Sequence, residues 1–221
     1  MVKRILVVLH SESEPLGALA DPIAAAGLKA DTRLAFDSLP GSLAGYGGLI
    51  VMGGSMGVYE GDRFPFLSLE IGLLREALNA RLPTLGVCLG SQLLAAAGGG
   101  RVYAGPAPEV GWWPVTRLAD DPWLGGWPLR LAPLHWHRDT FDLPPGAVHV
   151  ASSELYPHQA FRLGSALGLQ FHVEATAAMA RDWMREANAP ADQQRHSEEG
   201  AARMAPLVAK LGQAFAREVV G

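Results

Sequence analysis

A single cysteine, Cys88, stands among 221 residues, so no disulfide can form within the chain. Such sparing use of cysteine fits a reducing, cytoplasmic setting. Charge is also scarce: 18% of residues are Asp, Glu, Lys or Arg, with a net charge of −4 at pH 7. That balance lacks the basic footprint of a nucleic-acid binder. No apolar run approaches the ~20 residues that a membrane-crossing helix needs, which leaves the bilayer out as a partner. The opening segment, Met1 to Leu9, has the look of a secretion signal. His10, Ser11, Glu12 and Glu14 follow at once, with neither a long apolar region nor a small-residue cleavage site. A first buried strand accounts for it better. Internal repeats and linkers are missing too, and the length suits one α/β domain spanning residues 1–221.

What is present is alternation. Apolar runs of strand length at residues 5–9, 32–36, 49–52 and 84–87 are separated by segments with helical spacing at 16–26, 66–79 and 89–97. This pattern predicts a flavodoxin-like, doubly wound, mostly parallel sheet with helices on both faces. Residues 112–142, rich in Trp, Pro and Asp, predict short antiparallel strands and loops. Strands are expected again at 148–152, 159–163 and 167–171, and a helix at 176–187. A final helix is expected to be capped by Ser197, with Met204, Leu207, Val208, Leu211 and Phe215 on its buried stripe. Residues 187–195 read as a surface loop.

The segment Gly86-Val87-Cys88-Leu89-Gly90-Ser91-Gln92 follows a predicted strand and opens a predicted helix. A Gly-x-Cys-x-Gly sequence in that context is a nucleophile elbow. The tight turn needs small residues on either side of the nucleophile. The helix N-terminus lends Cys88 a partial positive charge that favours thiolate, and the Leu89 amide is placed to face an oxyanion. Gln170-Phe171-His172-Val173-Glu174 supplies a base with its own orienting carboxylate. On a strand, residues two apart share a face, so Glu174 can hold one imidazole nitrogen while the other meets the thiol.

Taken in order, the Gly53-Gly54 turn, the Cys88 elbow and the Leu-Gln-Phe-His-Val-Glu segment resemble the class I (triad) glutamine amidotransferases. The resemblance runs from about Ile5 to Thr176, and is strongest to stand-alone proteins related to the amidotransferase domain of GMP synthase. It implies Cys88 as nucleophile, His172 as base and Glu174 as orienter. It implies the Gly54 amide as a second oxyanion donor beside Leu89, and Gln92 as a glutamine-binding side chain. Val173 replaces the family's usual proline, at a position off the catalytic face.

Two further segments carry the same resemblance. His135-Trp136-His137-Arg138-Asp139 is similar to a loop beside the active site in which His137 and Asp139 take part, with Arg138 where glycine is common. Glu109-Val110-Gly111-Trp112 is similar to a segment that places Glu109 near the substrate's amino-acid end, although a structural role suits it equally. His-x-His with a distant His-x-Glu also forms a conceivable metal set, which the elbow makes unnecessary. Trp112, Trp113, Trp123, Trp127 and Trp136 are expected mainly to fill core.

The implied chemistry is cysteine-dependent hydrolysis of the γ-amide of glutamine or a γ-glutamyl compound, without metal or cofactor. Two alternatives stay open: an ammonia-supplying subunit for a separate synthetase, and a non-catalytic regulatory or binding module on the same fold.

Overall fold

The computed structural model describes residues 3–189 and 191–221. Five strands run parallel: β2 (Lys29–Leu34), β1 (Arg4–Leu9), β3 (Gly48–Val51), β4 (Thr84–Val87) and β11 (Ala166–Leu169), in that spatial order. Beyond β11 the sheet continues antiparallel through β10 (Ala160–Leu163), β9 (Val148–Ser153), β6 (Val115–Arg117) and β7 (Arg130–Leu131). A separate ribbon pairs β5 (Val102–Trp112) with β8 (Leu134–Phe141). The flavodoxin-like order and its small antiparallel section match the fold expected from the sequence.

Strand periodicity makes the two cores. Ile5, Val7 and Leu9 point to one face and Leu6 and Val8 to the other, because successive side chains alternate across a sheet. The first face packs under α1 (Ala20–Ala25), α4 (Ala177–Glu186) and α6 (Ser197–Val220), through Ile23, Trp183, Val208, Leu211 and Phe215. The second packs under α2 (Phe66–Ala80) and α3 (Leu89–Ala97), through Leu67, Leu73, Leu74, Leu93 and Leu94.

Four expectations shift. β2 begins at Lys29 rather than residue 32, because this edge strand carries Lys29, Asp31 and Arg33 and has no apolar start signal. Residues 17–19 form a 3₁₀ turn before α1, so the expected first helix is shorter. Ser197 does not cap α6. His196 before it is already helical (φ −77°, ψ −2°), since α5 (Ala191–Arg195) leads almost directly into α6. The chain therefore never takes the extended conformation that a capping serine needs, and Ser197 is buried as the first helical residue. The stretch read as a surface loop contains α5, whose Gln193 Oε1 accepts a 2.8 Å bond from the Trp112 amide. Pro190, within that stretch, lies outside the described residues.

Candidate active site

The elbow forms where β4 meets α3. Cys88 has φ +51° and ψ −110°, a conformation that costs a non-glycine residue roughly 1–3 kcal/mol and is retained where surroundings enforce it. Those surroundings are the flanking glycines. A Cβ on Gly86 would sit 2.5 Å from the Gly90 carbonyl oxygen, and one on Gly90 would drive into the Val51 carbonyl. Backbone bonds close the turn: Cys88 N–H donates to Leu169 O at 2.8 Å, and Gly90 N–H to Met52 O at 3.1 Å. The nucleophile candidate thus lies at the carboxyl ends of β3, β4 and β11, where ligands collect in open α/β sheets.

His172 and Glu174 lie just beyond the end of β11, which stops at Leu169. A bridge to Leu134 holds them there, with His172 N–H donating to Leu134 O at 2.8 Å. His172 Nδ1–H donates to Glu174 Oε1 at 2.7 Å. Both residues are buried, and His172 Nε2 has no hydrogen-bond partner among the described residues. Burial alone would depress the imidazole. The Glu174 carboxylate and then Cys88 outweigh it, and hold His172 well above the ordinary histidine range. The ring also packs edge-on against Trp183, with centroids 4.9 Å apart.

Cys88 opens onto a cavity of about 350 Å³. Gly54, Gln92, Trp136, His137 and Asp139 are among its lining residues. The structure therefore brings Cys88, His172, Glu174, Gly54, Leu89, Gln92 and His137 to one site. The Gly54 and Leu89 amides donate to no acceptor among the described residues. Gln92 is buried rather than on the helix surface, and its Nε2 donates to Gln170 Oε1 (3.2 Å) and Asp139 O (3.3 Å).

Glu109 sits one layer back, where it lines a neighbouring cavity rather than that of Cys88. Its Oε2 accepts from His137 Nε2 (3.0 Å) and Gln159 Nε2 (2.6 Å), and its Oε1 from Ser153 Oγ (2.8 Å). Burial would raise this carboxyl, but the His135 and His137 contacts hold it far below the usual range. The potential metal-ligand group among the described residues is Glu109, His135 and His137, without His172 or Glu174. The ligand set suggested by spacing is therefore not the one assembled. Of the tryptophans, Trp112, Trp123 and Trp127 are buried in core, whereas Trp136 walls the Cys88 cavity.

Sequence reasoning missed four nearby residues. Gln170 Nε2 lies 3.8 Å from Cys88 Sγ; its spacing two residues before His172 was a usable signal. Glu14 lies against Gly53 beside His172, and burial raises its carboxyl despite the opposing pull of that imidazole. His10 and Glu70 form a buried pair behind the Gly53-Gly54 turn.

A model of "Glutamine amidotransferase class-I" matches residues 20–186. The chain belongs to the class I glutamine amidotransferase family. Among solved structures, a glutamine amidotransferase from Thermotoga maritima superposes with a TM-score of 0.90 at 34% identity, covering 100% of both chains. One from Methylobacillus flagellatus gives 0.91 at 29% identity, covering 99% of this chain and 96% of its own. Among curated relatives, the glutamine-hydrolysing GMP synthase of Thermomicrobium roseum is 41% identical over 130 residues, which are 58% of this chain and 23% of that protein. A putative glutamine amidotransferase-like protein, YfeJ of Salmonella typhimurium, is 35% identical over 48% of this chain and 46% of its own length. The chain thus spans under half the length of these two curated relatives. No described helix of the amidotransferase domain is long and apolar enough to cross a membrane.

Proposed function

We propose that the protein hydrolyses the γ-amide of glutamine or a γ-glutamyl compound through a thioester on Cys88. The observation that carries this reading is the buried His172–Glu174 pair, whose free Nε2 is turned to a cysteine on a strained elbow. An elevated imidazole beside a thiol favours the thiolate–imidazolium pair, which is the reactive form of a cysteine nucleophile. The thiolate adds to the γ-carbonyl, and the Gly54 and Leu89 amides take up the oxyanion. The imidazolium gives its proton to the departing ammonia or amine as the C–N bond breaks. His172 then takes a proton from water, which attacks the thioester, and glutamate leaves as the thiol re-forms. Gln92, His137 and Asp139 line the cavity where the amino-acid end would lie, with Glu109 holding His137 in place. The test is glutamate release by the purified protein, screened over glutamine and γ-glutamyl peptides. Release from none of them would overturn the proposal.

One observation favours a second reading, in which the chain supplies ammonia to a separate synthetase. The relative that carries it is a glutamine-hydrolysing GMP synthase, 41% identical over 130 residues. Here basal glutamate release would be slow and would rise on adding the partner. The binding-module reading predicts no release and no glutamine-protected labelling of Cys88.

A further inference from the structure

The buried pair His10–Glu70 has no place in the chemistry above, yet it touches the backbone on which that chemistry depends. His10 follows β1 and Glu70 lies on α2, 60 residues apart in sequence. Both are buried, and Glu70 occupies the apolar stripe of α2 with Leu67, Leu73, Leu74 and Ala77. A carboxylate there stays dissolved in a core only when it is paired. His10 Nε2–H donates to Glu70 Oε2 at 3.0 Å and to Oε1 at 3.1 Å. Its other nitrogen, Nδ1, donates to the Gly53 carbonyl at 2.8 Å. With Glu70 as a carboxylate both ring nitrogens face acceptors, and the ring meets both as imidazolium. Burial opposes that charge, but Glu70 outweighs it and raises the imidazole.

The Gly53 carbonyl and the Gly54 N–H belong to one trans peptide plane, and the two bonds point in opposite directions. Fixing the first on His10 aims the second away from His10. The surrounding space agrees. A Cβ on Gly53 would meet His172 Cε1 at 3.1 Å and Cys88 Cβ at 3.6 Å, whereas one on Gly54 would meet His10 Cβ at 2.7 Å and Leu89 Cδ2 at 2.8 Å. The turn is thus wedged between Cys88 and His172 on one side and the His10 ring on the other. Two glycines in succession otherwise let this peptide rotate readily, and rotation would turn a carbonyl oxygen toward the oxyanion.

We infer that His10 and Glu70 are positioning residues that lock the Gly53–Gly54 peptide in the orientation presenting the Gly54 N–H to the oxyanion. The inference rests on the proposed glutaminase reading for its rate effect, but the peptide orientation itself does not.

The test uses two double variants of the full chain. His10→Phe with Glu70→Leu removes the donor and both charges while keeping the site filled. It is expected to lower kcat about 100-fold, the scale of one lost oxyanion donor, with KM within about threefold. Alkylation of Cys88 by iodoacetamide should be unchanged, because it forms no oxyanion. His10→Asn with Glu70→Gln restores an N–H donor near the Nδ1 position without charge, and should recover activity to within about tenfold of wild type. Crystal structures of both variants report the Gly53 carbonyl directly: rotated in the first, held in the second. An unrotated carbonyl with kcat near wild type in the first variant overturns the inference. So does a loss of alkylation parallel to the loss of turnover, or equal damage in both variants. If the first variant does not fold, a rotated peptide or a 100-fold loss in the second, donor-retaining variant overturns it instead. If the wild-type protein releases no glutamate, the functional proposal fails while the carbonyl orientation still decides this one.

Discussion

Two buried histidine–carboxylate pairs flank the same glycine turn, and they differ at one nitrogen. In His172–Glu174 the far nitrogen, Nε2, is unengaged and lies toward Cys88. In His10–Glu70 the far nitrogen is closed on the Gly53 carbonyl. A histidine with a free nitrogen can pass a proton, whereas one bonded at both ends can only hold what it touches. Burial, charge and partner type are shared, so chemical composition alone does not assign a role. What separates them is whether the ring has a place left to bind.

The largest effect should come from removing the groups on the open side. Cys88→Ala is expected to abolish glutamate release while the melting temperature stays close to wild type, since a small side chain is replaced by a smaller one on an unchanged elbow. Retention of more than a trace of turnover would show that the thiol forms no covalent intermediate.

Next in size is the orienter. Glu174→Gln keeps a hydrogen bond to His172 but no longer supports imidazolium, and should cost about 10²–10⁴ in kcat. The double variant Glu174→Gln with His172→Ala should be little worse than His172→Ala alone, because the two act as a unit. Multiplicative losses would mean that the residues work independently and that the base lies elsewhere.

A smaller effect is expected for Gln170→Leu, which removes the amide near Cys88 Sγ and the acceptor for Gln92. About a tenfold rise in KM with little change in kcat would mark loss of substrate positioning through Gln92; a fall in kcat alone would place Gln170 on the thiolate instead.

The smallest effect is a pH-dependent difference in stability. His172 is raised above its unfolded value of about 6.5. Its pairing therefore contributes fully below that value and fades as pH rises through the elevated folded one. The melting-temperature gap between wild type and Glu174→Gln should be wider at pH 6 than at pH 9. A gap that grew with pH would contradict the imidazolium assignment.

How much of this was legible in the sequence follows the range of each signal. The elbow could be read residue by residue, because strand, nucleophile and helix are adjacent and each glycine answers a local steric need. The same holds for α2, whose stripe is periodic, and for His172 with Glu174, which are two positions apart. β5 was not legible: Gly105, Pro106 and Pro108 interrupt its alternation, and its pairing with β8 slips between Ala104 and Glu109. Ser197 misled because a serine before a helical stripe looks like a cap when the preceding turn of helix is unseen. His10 and Glu70 meet only through the topology that sets β1 beside β3. Even so, one local trace existed, since a charged residue at position 70 interrupts an otherwise apolar stripe.

The β5–β8 ribbon has a mechanical consequence. It stands outside the main sheet, yet its residues Pro108, Val110, Trp136 and His137 wall the Cys88 cavity. Its backbone bridge to the sheet's carboxyl edge runs from Leu134 to His172 itself. The ribbon is therefore tied through its backbone to the residue proposed as base. A substitution that displaced Leu134 would carry its strain straight to the His172 backbone, whereas one at Pro108 or Val110 would alter the cavity wall.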